Sequence, residues 1–76
     1  MEEKQLEQIL GFSIEEAIQN FKRIYPELSV AIVGANNKHN GLIIKTMEGD
    51  YYTINETCIS TSFADLNQAK DYGCLF

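Results

Sequence analysis

Residues 13–26 read SIEEAIQNFKRIYP, and this stretch decides the fold because it predicts one amphipathic helix with both of its ends marked. Ser13 and Glu16 form a capping box, in which the serine hydroxyl accepts the N–H of the residue three positions on. Pro26 marks the C-terminal end, because proline cannot continue a helix. Apolar side chains recur at the helical period and predict one buried face. They are Ile14, Ala17, Ile18, Phe21, Ile24 and Tyr25.

Three strands are predicted after this helix. Residues 28–34 read LSVAIVG, in which apolar side chains alternate and predict a strand with one buried face. Residues 42–47 and 51–55 are rich in residue types that favour strands, and residues 48–50, EGD, predict a tight turn between them. Because short connections join antiparallel neighbours, we expect the three strands to form a meander.

The two ends of the chain predict shorter helical segments. Residues 3–10 carry apolar side chains at helical spacing, which indicates one or two turns of helix or an ordered lead-in. Ser62 and Asp65 repeat the capping pattern and predict a short final helix with Phe63 on its apolar face. The sequence therefore predicts a single α+β domain over residues 1–76. Its capped helix packs on a three-stranded antiparallel sheet in two layers, and a short C-terminal helix follows.

Charge and composition exclude several classes of function. The 76 residues carry a net charge of −5 and only six lysines and arginines, which are scattered. A phosphate backbone or an anionic membrane surface needs a basic stripe, so neither nucleic acid nor membrane is an expected partner. No apolar run reaches the roughly 18 residues of a membrane span. The polar N-terminal residues predict no secretory signal, so we expect a cytoplasmic protein.

The residue types that usually carry catalysis do not form a catalytic pattern here. His39 is the only histidine, and its neighbours predict a solvated loop residue. Cys58 and Cys74 lie near acidic residues, which disfavour a reactive thiolate, so structural thiols or a disulfide are expected. Two cysteines and one histidine do not build a closed four-ligand zinc site. The sequence therefore predicts no enzyme, no cofactor and no metal.

Residues 35–41 read ANNKHNG and predict a polar loop between the first two strands. Loops on rigid sheets commonly carry function, so this loop is the predicted contact site for a partner. Tyr51 and Tyr52 are predicted on opposite sheet faces, and an exposed Tyr51 beside Lys45 is either a partner anchor or a cross-strand packing pair. The predicted partner-binding residues are Asn36, Asn37, Lys38, His39, Asn40 and Tyr51.

A resemblance to a known family covers about a third of the chain. Residues 11–17 read GFSIEEA, Pro26 and Glu27 follow eight residues later, and an apolar run ends at Gly34. This order resembles the potato type I serine protease inhibitor family. The resemblance implies a helix-and-strand scaffold that presents a loop to a protease. In this sequence the loop is shorter than the family's, no arginine follows it, and about twenty residues extend beyond the third strand.

These observations predict a small, non-enzymatic binding or inhibitory protein that occupies a protein partner through the loop between its first two strands. Two alternatives remain open. One is an acidic immunity or antagonist protein that neutralises a basic enzyme with its carboxylate-rich surface. The other is an accessory protein, from a virus or mobile element, that sequesters a small-molecule ligand as a homo-oligomer.

Overall fold

A computed structural model describes residues 2–37 and 41–71. Three helices and three strands make up this part of the chain. Their order is α1 (Glu2–Leu10), α2 (Ile14–Ile24), β1 (Val30–Ala35), β2 (Leu42–Thr46), β3 (Tyr51–Ile54) and α3 (Leu66–Asp71). The predicted α+β class, the capped helix, the antiparallel meander β1-β2-β3 and the short C-terminal helix are all confirmed.

The start of α2 is capped from two sides. The Ser13 hydroxyl accepts from the Glu16 N–H at 3.4 Å, as the sequence predicts. A carboxylate oxygen of Glu7, on α1, accepts from the Ile14 N–H at 3.1 Å. Gly11 joins the two helices with a left-handed backbone, φ 82°. The first helix is therefore longer than the one or two turns predicted, and it supplies part of the cap of the second.

The sheet register is regular except at one bulge. Ile32 pairs with Ile44 and Gly34 pairs with Ile43, so β1 contains one extra residue, Val33, at that point. The turn between β2 and β3 closes where the Gly49 N–H donates to the Thr46 carbonyl at 3.0 Å.

The main core lies between α1, α2 and the inner face of the sheet, defined as the face that carries Ile44 and Tyr52. Phe21 is fully buried and its ring centroid lies 5.0 Å from that of Tyr52, in an edge-to-face arrangement. Tyr25, at the end of α2, packs against both rings. The buried members of this core are Leu10, Ile14, Ala17, Phe21, Leu42, Ile44, Tyr52 and Ile54.

The outer face of the sheet is also covered, by α3. Ile43 and Thr53 point away from the main core and are nevertheless fully buried, as is Ala69 of α3. The Thr53 hydroxyl donates to the Ala69 carbonyl at 2.9 Å, which holds α3 against β3. The predicted two-layer arrangement is therefore wrong: α3 forms a partial third layer, because the second apolar face of β2 and β3 needs its own cover.

The segment before α3 runs along the free edge of β3. Phe63 pairs with Tyr51 in an antiparallel bridge, and Ser60 donates its N–H to the Thr53 carbonyl at 3.0 Å. Phe63 is therefore not helical, and the predicted helix start at Ser62 is wrong. The helix begins at Leu66, and its cap is Asp65, whose carboxylate oxygen accepts from the Asn67 N–H at 3.1 Å.

Candidate functional site

The stem of the β1–β2 connection is closed and buried. The Asn36 N–H donates to the Gly41 carbonyl at 3.0 Å, which extends the strand pairing by one step. Asn36 itself is only 1% exposed. Its prediction as a partner-binding residue is therefore wrong, because a side chain enclosed by the protein does not reach a partner. The asparagine contributes to the stem of the loop instead.

Asn37 is the point where the connection becomes exposed, and it is bound to α3. Its backbone N–H donates to the Lys70 carbonyl at 3.0 Å. Its side-chain amide donates to an Asp71 carboxylate oxygen at 2.9 Å. Two bonds to a helix 33 and 34 positions away in sequence hold this residue in place. The other predicted loop residues, Lys38, His39 and Asn40, lie outside the described residues.

Gly41 ends the connection with a close approach to the sheet. It is buried, and the space where a side chain would begin is occupied by the methyl group of Thr53, with the Ile54 carbonyl oxygen 3.5 Å away. Because Thr53 is in turn bonded to α3, the loop stem, the third strand and the last helix form one packed unit. This unit fixes the positions of Asn37 and Gly41, on either side of residues 38–40.

Tyr51 lies at the other end of the sheet from this connection. It pairs with Lys45 across β2 and β3, and the Lys45 ammonium lies 5.6 Å from the centre of the Tyr51 ring. The Gly41 end of β2 is four residues away, about 13 Å along a strand. The structure therefore does not bring Tyr51 together with Asn36 and Asn37, the predicted loop residues that it describes. The half-buried ring and its lysine match the cross-strand packing pair that the sequence left open.

Tyr52 faces the main core, so the predicted opposite orientation of the two tyrosines is confirmed. Burial raises the pKa of the Tyr52 hydroxyl above its usual value of 10.0, and the nearby Tyr25 and Asp50 side chains raise it further. A hydrogen bond with Ser62 acts in the opposite direction. The hydroxyl therefore stays protonated at neutral pH, and it links the core to the segment that covers β3.

Chemistry-bearing side chains do not cluster in the described ranges 2–37 and 41–71. No group of three or more histidine, cysteine, aspartate or glutamate side chains is placed there to hold a metal ion. Cys58 is half-buried beside β3, and Cys74 lies outside the described residues. None of the helices in that part of the chain combines the length and the apolarity that crossing a membrane requires.

A groove beside β1 is a second surface feature, which the sequence does not predict. It has a volume of about 410 Å³ and lies between the helices and the inner face of β1. No local motif indicates it, because its lining comes from three elements that meet only in the folded chain. The lining residues are Glu7, Ile14, Glu15, Ile18, Gln19 and Ile32.

No protein-family model, curated protein or solved structure matches the chain. Functional inference for this protein therefore rests on its own residues.

Proposed function

We propose that the protein is a non-enzymatic binding protein that occupies a protein partner through residues 37–40 of the β1–β2 connection. The observation that carries this proposal is the anchoring of Asn37 to α3 through both its backbone and its side chain. A residue held by its scaffold, as Asn37 is, loses little conformational freedom on binding, so more of its contact energy appears as affinity.

The burial pattern around the connection supports the same proposal. Asn36 and Gly41 are buried on either side of the loop, and Asn37 is exposed. The side chains available to a partner therefore begin at Asn37 and belong to polar residue types. Polar loop residues on a rigid scaffold provide hydrogen bonds and specificity, in the manner of inhibitors and antagonists. The resemblance of residues 10–34 to an inhibitor scaffold agrees with this mode of action.

A site-specific crosslinking experiment tests the proposal. The photoreactive residue benzoylphenylalanine is placed at His39 in one protein and at Gln5, an exposed position on α1, in the control. Both proteins are irradiated in an extract of the cells that produce the chain. We expect one covalent adduct of defined mass from position 39 and none from position 5. Equal labelling from the two positions, or none from position 39, refutes the assignment.

A matched pair of triple variants then measures the contribution of the loop. Lys38, His39 and Asn40 are replaced by alanine in one variant. Three exposed residues of α1, Lys4, Gln5 and Gln8, are replaced in the other. We expect the first variant to lose capture of the crosslinked partner, the second to retain it, and both to keep the melting temperature of the parent. Unchanged capture by the first variant contradicts the proposal.

A further inference from the structure

Among the residues that the structure describes, no strand pairs with the outer edge of β1. Met47 donates its N–H to the Ser29 carbonyl at 3.2 Å, which makes Ser29 and Met47 a hydrogen-bonded pair. Hydrogen-bonded and non-bonded pairs alternate along an antiparallel ladder. Val30 and Ile32 are therefore non-bonded with respect to β2, and their N–H and C=O groups point away from the sheet. In the described part of the chain, β1 is an outermost strand.

The two edges of the sheet differ in how their backbone groups are protected. The edge of β3 is paired, because Tyr51 and Phe63 exchange both of their backbone hydrogen bonds at 2.8 Å. The edge of β1 carries no charged side chain and no proline over Val30–Ala35, so the bulge at Val33 is its one protecting feature, and the stretch Val30–Ile32 before it pairs regularly with β2. Val33 is 42% exposed at the bulge. Such an edge is a template for an added strand.

The groove is bordered by Ile32 of this strand, and its lining includes two acidic residues. Ile14, Ile18 and Ile32 supply the apolar part of the lining. Glu7, which is half-buried, and Glu15, which is exposed, provide two carboxylates, and no lining residue is cationic. A lining that combines isoleucine side chains with carboxylates suits a lysine or arginine side chain, whose methylene stem packs on apolar surface while its charged end reaches a carboxylate.

We propose that the β1 edge and this groove bind an extended peptide segment that carries lysine or arginine at alternate positions. The segment adds as a strand to β1, through the outward backbone groups of Val30 and Ile32. Its basic side chains enter the groove toward Glu7 and Glu15. This surface goes beyond the function proposed above, because it uses neither Asn37 nor the loop residues that follow it.

Charge favours a basic peptide over a second copy of this chain. The strand β1 has no cation, so a second β1 at this edge brings no positive charge to Glu7 and Glu15. Two chains of net charge −5 also repel each other. A basic peptide pairs with the backbone groups of the edge and also places positive charge beside the carboxylates of the groove.

Synthetic peptides test the proposal by fluorescence polarisation. The probe is a fluorescein-labelled peptide of sequence Thr-Val-Lys-Val-Lys-Val-Thr. One control peptide carries glutamate in place of both lysines. A second control is the lysine peptide with N-methyl groups on alternate amides, which blocks hydrogen bonding along one edge of the peptide strand. It is made in two versions, one for each edge of the peptide. We expect the lysine peptide to bind, the glutamate peptide to bind at least tenfold more weakly, and one N-methylated version to lose binding. Equal binding of the lysine and glutamate peptides overturns the proposal.

Protein variants locate the site. The double variant Glu7→Gln, Glu15→Gln keeps the hydrogen-bonding shape of both side chains, and we expect it to raise the Kd about three- to tenfold. The matched control Glu16→Gln, Glu27→Gln removes two exposed carboxylates outside the groove and leaves the Kd unchanged. An equal effect of the two double variants on the Kd refutes the assignment of the groove as the binding site.

The open edge is tested separately. Val30→Pro removes one outward N–H, and we expect it to abolish binding; the N-methylated peptides probe the same bond if that variant does not fold. Sedimentation of the peptide-free protein shows whether a second copy of the chain occupies the edge instead. A dimer that Val30→Pro dissociates assigns the edge to a second copy and overturns the peptide proposal.

Discussion

Replacing Gly41 by alanine tests the packed unit that holds the β1–β2 connection. The added methyl group meets the Thr53 methyl group well inside van der Waals contact, and the Ile54 carbonyl oxygen lies 3.5 Å away. Thr53 does not rotate freely, because its hydroxyl donates to the Ala69 carbonyl at 2.9 Å. Overpacking of this kind costs about 1–3 kcal/mol. At about 4–8 °C per kcal/mol for a domain of this size, we expect a melting temperature roughly 8–16 °C lower if the cost is near 2 kcal/mol.

A double-mutant cycle isolates the cause. Thr53→Ser removes the methyl group and keeps the hydroxyl that bonds to α3. The serine variant alone loses about 1 kcal/mol, the value of one buried methyl group. In the serine background, Gly41→Ala is expected to cost less than about 0.5 kcal/mol, which gives a coupling energy above about 1 kcal/mol. Urea unfolding of the four proteins provides the free energies of unfolding.

The result that refutes this reasoning is an equal cost of Gly41→Ala in both backgrounds. Gly41 is not among the glycines with a left-handed backbone, so its substitution brings no conformational strain of that kind. Equal costs therefore mean that the Thr53 methyl group is not the obstacle, and that Gly41 is not packed against β3 as described.

Three further predictions concern the caps and the buried tyrosine. Glu7→Ala removes the carboxylate that accepts from Ile14 and is expected to cost about 1 kcal/mol in urea unfolding, whereas Glu7→Gln retains most of the stability. Asp65→Ala removes the α3 cap at Asn67 and is expected to cost about 0.5–2 kcal/mol, whereas Asp65→Asn costs a few tenths; equal losses contradict the cap. The raised pKa of Tyr52 stabilises the fold fully below pH 10, and this contribution is lost as the pH rises through the folded-state pKa. Above pH 10, the free energy of unfolding is therefore expected to fall less steeply with pH in Tyr52→Phe than in the parent. Equal pH dependence of the two unfolding free energies contradicts this.

Local sequence signals predicted the elements whose causes are local. Ser13 and Pro26 bound α2 because capping and proline geometry act within a few residues. The alternation in β1 was also predicted, since a half-covered strand alternates in burial. Asp65 was missed as a helix cap because Ser62 offers the same pattern three residues earlier. Nothing local shows that Phe63 pairs with β3 instead.

The candidate site was only partly predictable, because its geometry depends on distant contacts. Asn36 and Asn37 have the same residue type and adjacent positions, yet one is buried and the other exposed. What separates them is the pairing of Asn36 with Gly41 and the bonds of Asn37 to Lys70 and Asp71. The bonds of Asn37 form only when α3 folds back onto the sheet. The groove beside β1 likewise forms only where α1, α2 and β1 come together, so no periodic pattern in the sequence predicts it.

The unequal edges of the sheet limit how this protein assembles. Residues 59 and 63 bridge to β3 and occupy that side, whereas the side beyond β1 has no strand in the described chain. Such a sheet pairs directly with only one added strand. Two copies that pair β1 to β1 each use their open edge, so strand addition between copies ends in a closed pair and does not propagate into fibres.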